Sequence, residues 1–161
     1  MIRRLSSWSL RGRAPNGRGT AGQALAEFVL VAPILLLLVF GIVEFGLAFR
    51  TNQIVTNAAR EGARAAVVPS GNDETVIREL VRNRLTGSGL DPEPAIITFV
   101  CDGEEGLCSS AGRTGTESEV TVQYPFRFLV LGPLMNYVCG DRCGERFGEI
   151  ILESSSVMRN E

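Results

Sequence analysis

Histidine is absent from the 161-residue chain, and so is lysine. Without histidine the chain lacks the commonest general base and the commonest metal ligand of proteins, which weighs against hydrolytic and metal-dependent catalysis. With no lysine, every positive side chain is an arginine, and the arginines are unevenly placed. Arg3, Arg4, Arg11, Arg13 and Arg18 fall in a leader that holds no acid. From Gln23 onward 11 arginines face 18 acidic residues, so that part carries a formal charge of −7 while the whole chain carries −2. An acidic body offers no electrostatic reason to bind nucleic acid, and no nucleic-acid partner is expected. No internal repeat and no long linker interrupts the sequence.

What is present is a long apolar run. Residues 28–43 read FVLVAPILLLLVFGIV without a charge. Sixteen helical residues cover ~24 Å, a little short of a ~30 Å hydrocarbon core. Extending the helix over 24–49 makes it long enough, but then Glu27 and Glu44 lie at or within the two interfaces. The basic leader ahead of the run predicts a cytoplasmic N-terminus and a C-terminal part on the far side of the membrane. An ordinary secretory signal places its small-residue cleavage site after the apolar run. Here a small residue, Gly22, precedes it, so cutting there leaves the helix attached. Pro33 removes one backbone hydrogen bond inside the run; a simple kink and a shape suited to bundle packing both fit.

The helix need not end with the membrane. Arg50, Gln53, Asn57, Arg60 and Arg64 recur at helical spacing as a polar face. Opposite them run Leu47, Ile54 or Val55, Ala58, Gly62 and Ala66, a stripe that narrows to small residues and permits close approach by a sheet or a second helix. One helix is therefore predicted from Ala24 to Val68, ended by Pro69-Ser70-Gly71-Asn72. A second is predicted over Asp73–Leu85, capped by Asn72 or Asp73, with Val76, Ile77, Leu80, Val81 and Leu85 on its apolar side. Residues 95–101, 119–126 and 148–158 read as strands, and Pro125 argues for an edge position or a strand end. The apolar segment 128–137, broken by Gly132-Pro133, reads as a short helix or turn, and 109–118 as a surface loop. The fold class is α+β: a long N-terminal transmembrane helix extending into a small antiparallel sheet domain of about 110 residues, a size only marginally stabilised by its own core.

Cys101, Cys108, Cys139 and Cys143 all follow the membrane helix, on the side where disulfides persist. Local pairing (101–108 with 139–143) and crossed pairing (101–139 with 108–143) are both open. A four-thiolate zinc site fits the spacings poorly, and no histidine is available to activate a catalytic thiol. Asp102, Glu104 and Glu105 lie in a glycine-containing loop with no nucleophile, base or phosphate cradle around them, and read as solvated charges. No enzyme activity and no cofactor is expected.

The fuller pattern is similar to a known family. GQALAEFVLVAPILLLLVFGIVEFG (22–46), NQIVTNAAREGARAAVV (52–68) and the closing IILESSSVMRNE (150–161) resemble the TadE-like family, minor pseudopilins of the Tad (tight adherence, Flp) type IV pilus system. The resemblance covers about residues 20–68 and again about 148–160. It implies a pilin-like arrangement and three parts: a cleaved basic leader (1–22), a transmembrane helix (23–49) and an extracytoplasmic domain (50–161). It implies cleavage between Gly22 and Gln23 by a prepilin peptidase, with Phe28 part of the recognised site and Glu27 pairing with a freed N-terminal amine, its own or a neighbour's. The bland alternative for Glu27 is an interfacial carboxylate reaching water. Glu44, ~25 Å further along the helix, is either a solvated helix-end charge or a membrane carboxylate that meets a partner helix. Implied partners are the peptidase, other pilins and pseudopilins, the inner-membrane assembly platform and the lipid bilayer. The rival to this reading is an unprocessed single-span membrane protein whose acidic head binds an envelope partner.

Overall fold

The computed structural model describes residues 18–68, 73–108, 115–139 and 148–159. Most of the leader, the stop at 69–72, the loop at 109–114, Cys143 and the last two residues lie outside the described residues. The chain divides into two compact units, Met1–Leu38 and Val39–Glu161.

Helix α1 runs over Arg18–Ala66 and passes through Pro33 without a break in its assignment. In the first unit it is the only described element, and its side chains from Gly22 on are almost all exposed. The helix is long and apolar enough to cross a membrane, and only 6% of its most apolar stretch is buried.

In the second unit the rest of α1 is joined by α2 (Glu74–Gly87), β1 (Ile96–Cys101), β2 (Glu104–Glu105), β3 (Glu117–Arg127), α3 (Leu131–Cys139) and β4 (Glu149–Arg159). The four strands form one antiparallel sheet in the order β2-β1-β3-β4. This is the α+β arrangement the sequence implies: an apolar helix leading into a small antiparallel sheet.

Period-2 alternation decides which strand faces are buried. Val120, Val122 and Tyr124 of β3 face the core beside Ile97 and Phe99 of β1, and Leu152, Ser154, Ser156 and Met158 of β4 continue that face half-buried. The opposite face carries cross-strand pairs, Arg127–Glu149 at 3.0 Å and Arg159–Glu117 at 3.3 Å, whose exposed charges contribute little each. β3 is internal, yet it contains Pro125. β1 pairs β3 no further than Gln123, so Pro125 stands beyond the end of β1 and is flanked by β4 alone. The expected edge position is met locally within an internal strand.

Helix α1 covers the sheet with Val55, Ala58, Ala59, Ala63 and Ala66, and α2 adds Ile77, Val81 and Leu85. The small stripe is what lets three layers meet: a Cβ built on Gly62 would lie 2.8 Å from Val81 Cγ2 and 3.2 Å from Val120 Cγ1. Leu47 is not on this stripe; Ala48 and Thr51 are buried instead, one position along. Arg50, Gln53, Asn57, Arg60 and Arg64 are all exposed, as their spacing predicts. On α2, Val76 turns to solvent, and Asp73 occupies the cap position without a side-chain cap bond. Arg78 ties α2 to the sheet, donating to Ile97 O at 2.6 Å with its guanidinium 5.0 Å from the Phe99 ring centroid.

Candidate functional site

The residues singled out in the sequence fall at two places. Gly22, Gln23, Glu27 and Phe28 lie in the first unit, on the exposed surface of α1. A Cβ added at Gly22 meets nothing within 4 Å. The fold therefore does not require glycine there, in contrast to Gly62. Nothing in the described residues contacts Glu27 through a hydrogen bond or an ion pair that would assign it an intramolecular role.

Glu44 belongs to the second unit and behaves in the opposite way. Only 3% of it is exposed. One carboxylate oxygen accepts the backbone N–H of Leu131 at 3.1 Å and the other accepts the N–H of Val130. Leu131 is the first residue of α3, so Glu44 caps a helix N-terminus from a distant element. That pairing is favourable twice over: the first N–H groups of a helix have no intrahelical acceptor, and its N-terminal end carries partial positive charge. The next residues complete the first turn. Pro133 occupies an early position where a missing N–H costs little, and Leu134 N–H reaches Val130 O at 3.0 Å.

Two further contacts hold this corner. Phe128 N–H donates to Gly148 O at 2.8 Å. Gly148 has φ +109°, and a Cβ on it would lie 2.5 Å from Gly132 Cα, so the start of β4 and the start of α3 pass backbone to backbone. The Phe128 ring meets Phe45 of α1 edge-on with centroids 6.0 Å apart, and Phe126 at 5.3 Å. The segment that reads in the sequence as a short helix or turn is thus a helix, fixed around its first turn by Glu44, Gly148 and Phe45. Sequence reasoning noticed Glu44 but not its partners. The available signal was the run Val130-Leu131-Gly132-Pro133, in which a proline just inside a helix start marks orphaned N–H groups next to it.

Cys101 is joined to Cys108, with Cα atoms 5.0 Å apart. Cys139 closes α3, and Cys143, with which local pairing would join it, lies outside the described residues. The bridge straps a small hairpin that sequence reading treated as loop. Cys101 pairs with Glu104 across a two-residue turn in which Asp102 (φ 47°) and Gly103 (φ 87°) are both left-handed. An Asp-Gly pair is a standard signal for such a turn. The Asp102 carboxylate accepts Glu117 N–H at 3.0 Å, anchoring the turn to β3. Asp102 is therefore a structural acceptor, while Glu104 and Glu105 are solvent-facing. Among the described residues no three His, Cys, Asp or Glu side chains gather as a metal site.

Residues 22–64 match the family model described as TadE-like protein. The matched TadE-like segment begins at the candidate cleavage glycine, takes in the whole apolar run and Glu44, and ends inside the small-residue stripe. It stops short of the sheet, so the sheet, α3 and the disulfide are described by the structure alone. No curated protein matches the chain, and no solved structure matches it.

Proposed function

We propose that this chain is a minor pseudopilin that takes part in assembling a Tad/Flp-type adhesive pilus. Helix α1 anchors it in the bacterial inner membrane, with the leader in the cytoplasm and the sheet domain outside. A prepilin peptidase matures it between Gly22 and Gln23. It acts through helix packing and a head domain, together with other pilins and the assembly platform, and not by turnover.

The observation that carries this reading is the coincidence of the TadE-like match over 22–64 with the exposed apolar stretch of α1 that follows Gly22. Three features support it. Five leader arginines favour the cytoplasmic side for the N-terminus. The Cys101–Cys108 bridge suits an oxidising compartment for the head. The open surroundings of Gly22 leave its backbone accessible to a protease, which a side chain would hinder. Glu27 is exposed near the amine that cleavage would free, where it can register one subunit against another through a charge pair in low dielectric.

The test is intact mass and N-terminal sequencing of the membrane-extracted protein, made with and without a cognate prepilin peptidase. A peptidase-dependent start at Gln23, abolished by Gly22→Trp, is the expected result. A leader retained under both conditions would leave an unprocessed single-span protein whose acidic head binds an envelope partner.

A further inference from the structure

A carboxylate one residue past an apolar run ordinarily marks where a membrane helix meets water. Glu44 does not, because it is buried and both its oxygens are taken by N–H groups at the start of α3. The next charge along α1 is Arg50. Between them Phe45 and Phe49 stand outward at 64% and 67% exposure. Once Glu44 is withdrawn, the stretch of α1 that presents no free charge grows from 28–43 to 28–49. At 1.5 Å per residue it lengthens from ~24 Å to ~33 Å, which matches a ~30 Å hydrocarbon core.

The element that withdraws Glu44 is itself uncharged. From Phe128 to Cys139 there is no acidic or basic residue. Leu129 is 76% exposed and Tyr137 89% exposed, and Phe128 touches Phe45 on α1. So much apolar surface facing water would be costly, at about 25 cal/mol per Å². Its position answers the cost. It is attached to α1 at Glu44 and Phe45, directly after the apolar run, where a bilayer spanned by α1 ends. Tyrosine is also a residue favoured at the membrane–water boundary.

We propose that α3 and the Phe128–Val130 turn before it rest in the outer leaflet of the bilayer that α1 spans, as a second, interfacial membrane contact. The occupant of this surface is lipid. The charge-free composition calls for acyl chains and zwitterionic headgroups, not an acidic or basic protein groove. The proposal rests on α1 being membrane-spanning, and the experiment separates the two.

The full chain carries one tryptophan, in the leader, so a Trp8→Phe background lets a single introduced tryptophan report. Leu36→Trp, Leu129→Trp, Tyr137→Trp and Glu105→Trp are each reconstituted into phosphatidylcholine vesicles with plain or brominated acyl chains. Loss of fluorescence in brominated lipid for L129W and Y137W, comparable with L36W and absent for E105W, is the expected result. Quenching of L36W alone would overturn the proposal while leaving α1 in the bilayer. Quenching of none would remove both. Quenching of L129W that appears only when the protein is diluted into excess lipid would mean that a second copy covers the surface, and would also overturn the assignment to lipid.

Discussion

The carboxylate of Glu44 accepts the backbone N–H of Leu131, a residue 87 positions later in the chain. One side chain of α1 thereby fixes where α3 starts. Because Val130 and Leu131 have no other acceptor for these N–H groups in the first turn, replacing Glu44 leaves two donors unpaired. Glu44→Ala is expected to destabilise the head by about 2–4 kcal/mol, with faster amide exchange at Val130 and Leu131. Glu44→Gln keeps one acceptor oxygen and falls between. Hydrogen exchange in micelles reads this directly; unchanged exchange at both amides in the alanine variant would show that α3 is held by something else.

Gly62 makes a second prediction. Its absent side chain is the space in which Val81 and Val120 pack. Gly62→Ala improves helix propensity by ~1 kcal/mol but overpacks a core contact at ~1–3 kcal/mol. A net loss of up to about 2 kcal/mol is expected in denaturant titration. Val81→Ala in the same chain should relieve it, giving a favourable coupling in a double-mutant cycle. Additive losses would place the clash elsewhere.

The Cys101–Cys108 bridge closes a short loop around the β1–β2 hairpin. Replacing both cysteines by serine is expected to cost ~2–3 kcal/mol through the freedom regained by the unfolded chain. Protection should fall across the head by that amount, and by more in the hairpin and at the Glu117 end of β3, where Asp102 is anchored. Thermal melts of the double variant against the parent measure the first part and hydrogen exchange the second.

Tyr124 supplies the pH dependence. Burial raises its phenol above the ordinary value of 10.0, and the nearby Asp91 charge adds to the rise. Below pH 10.0 the phenol is protonated in folded and unfolded chains alike, so its contribution is fully present. Above that value the unfolded chain releases the proton first, and stability falls as pH rises through the folded-state value. Tyr124→Phe should flatten the alkaline limb of a stability–pH curve. An unchanged limb would assign it to another group.

Much of the second unit was legible in sequence because it is written locally. The alternation Val120, Val122, Tyr124 and the spacing Ile77, Val81, Leu85 each reach the core they predict. The α1 stripe is legible except at its start, where the spacing points to Leu47 and Ala48 holds the inward position. From Phe45 to Phe49 no residue is polar, so hydrophobicity no longer distinguishes the inner face. The Asp102-Gly103 turn was readable but was absorbed into a loop, because a two-residue strand has no periodicity of its own. Glu44 with Leu131, and Gly132 with Gly148, were not legible. Each joins elements far apart in sequence, and neither glycine differs in sequence from one in an open turn.

The distance along the chain between Glu44 and its partners has a temporal side. A ribosome adding ~5–20 residues per second completes Leu131 roughly 4–17 s after Glu44. For that interval Glu44 has no α3 amides to bind, and α1 presents only its shorter charge-free stretch. The acid is withdrawn when α3 arrives, so the length of the charge-free stretch of α1 is set late in synthesis, by a segment outside that helix.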